Sequence, residues 1–216
     1  MNRAVSVAAI VIVLAGDACS SSSSPTSVGV SSPTFTGSVT DPVGDTVITP
    51  VIRNGVTLTP VIPVRPDLTA ATLDVSGGTL TATVSFAAGT LSHPDTIFCV
   101  LVDIDENPAT GNPGGGADNA TFGWDYSICA VNPRGSTTAQ ISRADTPTGG
   151  LGIGSVPMTF PSADQARFSV PLSMLGNDDG RMSFKVKSLQ WLDAPILNSD
   201  TIDAMPDVGR PPGLVR

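Results

Sequence analysis

Apolar and polar residues alternate with a period of two over most of the chain beyond residue 40, and clusters of Gly, Pro, Asn, Asp and Ser separate the runs. In an extended backbone successive side chains point to opposite faces, so each run predicts a strand with one buried side. Runs at 68–75 and 79–86 flank Ser76-Gly77-Gly78, which predicts a hairpin. Runs at 97–103 and 124–131 predict a second pair, and 137–143, 156–160, 166–170 and 181–191 complete the stronger signals. Weaker ones lie at Val47-Ile48, at Val51-Ile52 and, broken by prolines, over 56–64. Residues 171–176 suit a single helical turn before the turn signal Asn177-Asp178-Asp179-Gly180. Roughly eight or nine short antiparallel strands at this spacing predict an all-β, two-sheet sandwich of jelly-roll type. No strand alternates with a long amphipathic helix, which argues against an α/β fold.

The first 36 residues read differently. Met1-Asn2-Arg3 gives a positive start, residues 4–14 an apolar segment, and small residues follow up to Cys19, as in an export signal over 1–18. The apolar part is short for a membrane span. Residues 19–36 are a Ser/Thr/Gly/Pro mixture that buries little and predicts a flexible tether. A tether directly after a cysteine resembles a bacterial lipoprotein, in which Cys19 carries lipid and anchors the protein to the membrane at the cell envelope. Leu14-Ala15-Gly16 matches the usual residues before that cysteine, but Asp17-Ala18 displace them by two positions. Ordinary secretion with cleavage after Ala18 is the alternative. The sandwich domain is then expected over 37–198, with 199–216, rich in prolines, as an irregular tail.

Composition agrees with β structure. The only lysines are Lys185 and Lys187 and the only glutamate is Glu106, so strong helix formers are scarce. Nearly all acid is Asp, a turn and loop residue, and the net charge is −8. An acidic chain this poor in lysine repels phosphate backbones, which excludes nucleic acid as an expected partner.

With Cys19 lipidated, Cys99 and Cys129 remain as a pair that an oxidising compartment would join, two buried free thiols being the alternative. Placing them opposite one another on antiparallel neighbours fixes a register. Phe98 then faces Ala130, Val100 faces Ile128 and Val102 faces Tyr126, which makes one apolar face. On the other face Leu101 meets Ser127 and Asp103 meets Asp125. Opposed carboxylates on adjacent strands repel unless something neutralises them, and a divalent cation does so. A solvated or protonated carboxylate, or an arginine partner, is the alternative.

Asp103-Ile104-Asp105-Glu106-Asn107 ends an apolar run with oxygen-bearing side chains at alternate positions. Ca²⁺ is bound by several carboxylate, amide and carbonyl oxygens gathered by one loop. The expected ligands are Asp103 and Asp125 from the strand ends, with Asp105, Asn107 and Asp118 from the connection between them. This is no EF-hand: Pro108 stands where that motif needs glycine, and the flanks are strands.

Asp41-Pro42-Val43-Gly44-Asp45, Pro66-Asp67-Leu68, the acidic run with Thr110-Gly111, and Trp124-Asp125-Tyr126 together resemble bacterial secreted β-sandwich domains similar to the DOMON-like and family-nine carbohydrate-binding-module-like group. The resemblance spans about 41–191. It implies a jelly-roll-like sandwich, frequent calcium sites and, in some members, binding of sugars or haem. A sugar site needs an exposed aromatic platform, for which Trp124, Tyr126 and Trp191 are the candidates, although the alternation favours core packing for them. Haem has only His93, and Met158, Met174, Met182 and Met205 read as core residues.

Catalytic sets are weak. A Ser/His/Asp hydrolase would depend on His93 and shows no nucleophile elbow; zinc chemistry lacks ligands at suitable spacing. A glycosidase would need an acid and a nucleophile set apart among many Asp residues. The expectation is a non-catalytic, calcium-stabilised extracytoplasmic module on a lipoprotein, binding glycan or another envelope component. The alternatives are a structural or protein-interaction module and, behind it, a hydrolase.

Overall fold

A computed structural model of the chain describes residues 33–48, 51–53, 56–58, 64–92, 94–113, 121–146, 149–191 and 199–216. Cys19 and the leader, His93 and Asp118 lie outside the described residues.

The described chain is all-β and antiparallel. Its strands are β1 (Phe35–Thr40), β2 (Val51–Arg53), β3 (Val56–Leu58), β4 (Leu68–Ser76), β5 (Thr79–Phe86), β6 (Thr96–Asp103), β7 (Asn112–Pro113), β8 (Gly123–Trp124), β9 (Tyr126–Val131), β10 (Thr138–Thr146), β11 (Gly149–Ser162), β12 (Gln165–Pro171), β13 (Met182–Trp191), β14 (Ser199–Met205) and β15 (Gly213–Val215). Eleven of them form one sheet in the order β1-β4-β5-β12-β11-β10-β9-β6-β13-β14, with β15 also on β13; β2-β3 and β7-β8 are separate two-stranded pairs. β14 takes the half of β13 from Val186 to Trp191, and β15 the half from Met182 to Phe184. Thr36 and Arg216 exchange backbone hydrogen bonds, so β15 meets β1 and the sheet curls almost into a barrel, flattened as a sandwich.

The eight strong runs from residue 68 onwards all become strands of this sheet. The hairpin between β4 and β5 turns on Gly77 and Gly78, whose φ values of 58° and 75° suit a two-residue turn that other residues resist. The expected helical turn is a 3-10 turn at Leu172–Leu175. The three further strands come from the chain ends. β1 begins at Phe35, inside the segment assigned to the tether, and residues 199–216 are not irregular as expected. Ile202, Ala204, Met205 and Val215 are buried, and this apolar content draws the tail into the sheet.

The interior is filled from both layers. Leu73, Val84 and Phe168 from β4, β5 and β12 belong to one cluster with Val100, Ile128 and Phe184 from β6, β9 and β13. Phe86 and Phe98 meet edge to face with centroids 5.4 Å apart. β6 is buried along its whole length. Its outer face carries a second, smaller core in which Ile97, Cys99, Leu101 and Phe122 pack with Trp124, Cys129 and Leu189. That cover explains why an antiparallel strand reads as continuously apolar, a pattern usual for strands enclosed on both sides.

Candidate metal centre

β6 and β9 pair in the expected register, Phe98 with Ala130, Cys99 with Cys129, Val100 with Ile128, Leu101 with Ser127 and Val102 with Tyr126. Cys99 and Cys129 form a disulfide across it. The ladder stops at Val102. Asp125 lies in a bend between β8 and β9, its N–H donating to the Val102 carbonyl at 2.8 Å and its carbonyl accepting from Ala144 of β10 at 2.7 Å. Asp103 pairs instead with Ser183 of β13. The two acids therefore meet beyond the end of the ladder and not as the expected cross-strand pair.

They still converge. Asp103, Asp105 and Asp125 each offer a carboxylate oxygen within 4.8 Å of the others. Two oxygens bound to one Ca²⁺ at 2.3–2.6 Å lie at most roughly 4.6–5.2 Å apart, so the spacing fits a shared ion. Asp103 is 1% exposed. Its Oδ1 accepts from the Asn107 amide at 3.3 Å and its Oδ2 from the Ser183 hydroxyl at 3.4 Å. Asp105 Oδ1 accepts from the same Asn107 amide at 2.9 Å, and Thr110 Oγ1 lies 2.9 and 3.0 Å from its two oxygens. The Ile104 amide donates to Asp125 Oδ2 at 3.0 Å. Backbone N–H groups thus orient the acids.

Electrostatics reports the imbalance. Burial first, then a hydrogen bond shared with Asp105 and repulsion from Asp125 and Asp105, push the Asp103 carboxyl from 3.8 up to about 7, against a smaller opposing pull from the Asn107 amide. Burial also raises Asp125, opposed by the Ile104 amide and reinforced by the charge of Asp105. A divalent cation held by these carboxylates would offset both effects.

The loop is held to the strand bend by close backbone approach. A Cβ on Gly123 would stand 2.2 Å from the Thr110 carbonyl oxygen, and one on Gly111, where φ is +66°, would stand 2.5 Å from that of Trp124 and 2.9 Å from Asp125 Oδ1. Only glycine fits at either position. Glu106 forms an ion pair with Arg216.

Of the expected ligands, Asp103, Asp105 and Asp125 come together. Asn107 contributes its amide to them, whereas its side-chain oxygen accepts from Ala109 at 3.2 Å in a local turn. Of the aromatic candidates, Tyr126 is 7% exposed and belongs to the main core, and Trp124 is half-buried against the disulfide-bearing cluster. The backbone of Trp191 pairs with Ser199. Neither Trp124 nor Tyr126 forms an exposed platform. Met158, Met182 and Met205 are buried in the main core, and Met174 is partly buried against that core.

A second acidic group escaped the sequence reading. Asp41, Asp45 and Asp203 also bring carboxylate oxygens within 4.8 Å of one another. Asp41 and Asp203 stand far apart in the chain, the second in a segment expected to be an irregular tail, so no local spacing marked them. The chain matches no protein-family model and no curated protein.

Proposed function

We propose that this chain is a non-catalytic, calcium-stabilised extracytoplasmic binding module, carried at the cell envelope by a lipid on Cys19. The observation that carries the reading is the convergence of Asp103, Asp105 and Asp125 where β6 ends, with Asp103 almost wholly buried among like charges. Such a group is costly without a counter-ion, and an all-oxygen set on an irregular loop suits Ca²⁺. Burial of Asp103 also disfavours a glycosidase, because an acid or nucleophile must reach the sugar. The resemblance to DOMON-like and carbohydrate-binding-module-like domains supports the same reading through the fold.

A recess of about 210 Å³ beside the cluster, lined by Ile104, Asp105, Asp125, Tyr126, Arg143 and Ala144, gives the glycan reading a place in which polar groups converge. The burial of Tyr126 and the packing of Trp124 favour the second reading, a structural or protein-interaction module without a small ligand. Thermal melting of the purified chain in millimolar Ca²⁺ and in chelator tests the ion, which must raise stability if it binds the folded state. No shift between the two conditions overturns the calcium reading. Glycan-array binding lost in Arg143→Ala supports the first reading, and an array without signal leaves the second. Mass spectrometry of the protein from its host tests the lipid on Cys19.

A further inference from the structure

The carboxylates of Asp41, Asp45 and Asp203 bring the loop that leaves β1 together with β14. Asp41 follows β1 directly, and its N–H donates to the Thr69 carbonyl of β4 at 3.0 Å. Asp203 lies within β14, where it is 4% exposed and both its oxygens are used, Oδ2 by the Leu68 amide at 2.7 Å and Oδ1 by the Ala204 amide at 2.8 Å. Asp45 is exposed on the wall of a cavity of about 410 Å³ that Asp203, Asp207 and Arg210 also line.

A second, independent observation comes from Asp67. It is only 6% exposed, and its carboxylate faces the loop from Asp41 to Asp45, where Oδ2 accepts from the Gly44 amide at 2.9 Å. Its Oδ1 is buried and has no hydrogen-bond partner, and Asp41 Oδ2 is in the same condition. The charge of Asp45 acts on Asp67, and that of Asp67 acts on Asp203. Buried polar atoms are nearly always satisfied, so two orphaned carboxylate oxygens beside one acidic cluster call for a partner. Among the described residues Arg210 stands on the cavity wall, and the buried Lys185 donates its Nζ to the Asp207 carbonyl at 3.2 Å.

We propose that Asp41, Asp45 and Asp203, with Asp67 beside them, form a second divalent-cation site of the calcium class. Hard oxygen donors, without sulfur or imidazole, select such an ion over zinc or copper. The site is independent of the one at Asp103 and acts as a clasp. It ties the loop leaving β1 and the start of β4 to β14, and so fastens the two chain ends where the curled sheet closes.

Calorimetric titration of the chelator-treated full chain with calcium chloride tests this. Asp45→Asn is the informative variant, since Asp45 is exposed and its replacement disturbs no packing; Asp41→Asn is the second, and Asp103→Asn reports the first site separately. The expected result is two ions per wild-type chain, with Asp45→Asn weakening one of them by at least about tenfold, the loss typical of even an outer-shell partner, and Asp103→Asn weakening the other. A single ion lost in Asp45→Asn but kept in Asp103→Asn also supports the clasp while removing the first site. Calcium binding unchanged in both Asp45→Asn and Asp41→Asn, or no binding by the wild type, overturns it.

Discussion

Replacing Asp103 with Asn should stabilise the domain without calcium and destabilise it with calcium. The side chains are nearly the same shape, and an Asn amide can donate to Asp105 or to the Ser183 hydroxyl while its oxygen still accepts from the Asn107 amide, so packing is preserved. What changes is charge. The carboxyl of Asp103 is raised from 3.8 to about 7, roughly three pH units at ~1.4 kcal/mol each, so ionising it in the folded state at pH 8 costs up to about 4 kcal/mol. Relaxation of the three carboxylates away from one another returns part of this, leaving an expected gain of about 2 kcal/mol for the variant in chelator. For a domain of this size that is an increase in Tm of roughly 4–8 °C. With calcium a thousandfold above its dissociation constant the wild type gains ~4.1 kcal/mol that the variant lacks, and the order reverses by about 2 kcal/mol. Urea or thermal unfolding at pH 8, run in chelator and in calcium, reads both signs. A variant less stable than wild type by the same amount in both conditions would show that Asp103 serves the fold through its hydrogen bonds and holds no ion.

Three further outcomes follow from the same structure. Without calcium, the folded protein retains protons on Asp103 and Asp41, both near 7, and on Asp203, near 6, that the unfolded chain releases near pH 4. Stability should therefore be highest at acid pH and fall as pH rises from about 4 to about 7, with calcium reversing the loss over the same window; a chelated protein whose Tm climbs from pH 5 to pH 8 contradicts this. Removing the disulfide by Cys99→Ser with Cys129→Ser should lower the unfolding free energy by about 3–4 kcal/mol in a denaturant titration, the loop-closure value for a separation of 30 residues. Gly123→Ala forces a methyl against the Thr110 carbonyl and should cost about 2 kcal/mol or more while weakening calcium binding. An unchanged calcium affinity in that variant would show that the loop does not depend on this approach.

Strand pairing was readable where two signals agreed. The register of β6 and β9 followed from the cysteine pair, because alternation of period two allowed only one face to be apolar. Gly77 and Gly78 marked the hairpin of β4 and β5 for a similar reason, since few residues accept positive φ. β1 was missed because only Phe35, Gly37 and Val39 of its six residues face inward, one of them a glycine without a side chain to signal burial. β14 and β15 were hidden by Pro206, Pro211 and Pro212, which break the alternation just where the chain returns to β13. In the first acidic cluster, Asp103 and Asp105 share one loop and were found together, and Asp125 came in through the register. The bend that takes Asp125 off the ladder depends on Ala144 of β10, a contact that no spacing between β6 and β9 encodes. The clasp at Asp41, Asp45 and Asp203 exists only once the sheet closes, so it has no local pattern at all.

The most direct measurement is a crystal structure of the domain grown in millimolar calcium, with anomalous scattering recorded to identify the ion. A calcium peak is expected among the carboxylates of Asp103, Asp105 and Asp125, with oxygen distances of about 2.3–2.6 Å. Carboxylates splayed into solvent at that position, or bridged by water alone in the presence of calcium, would contradict it.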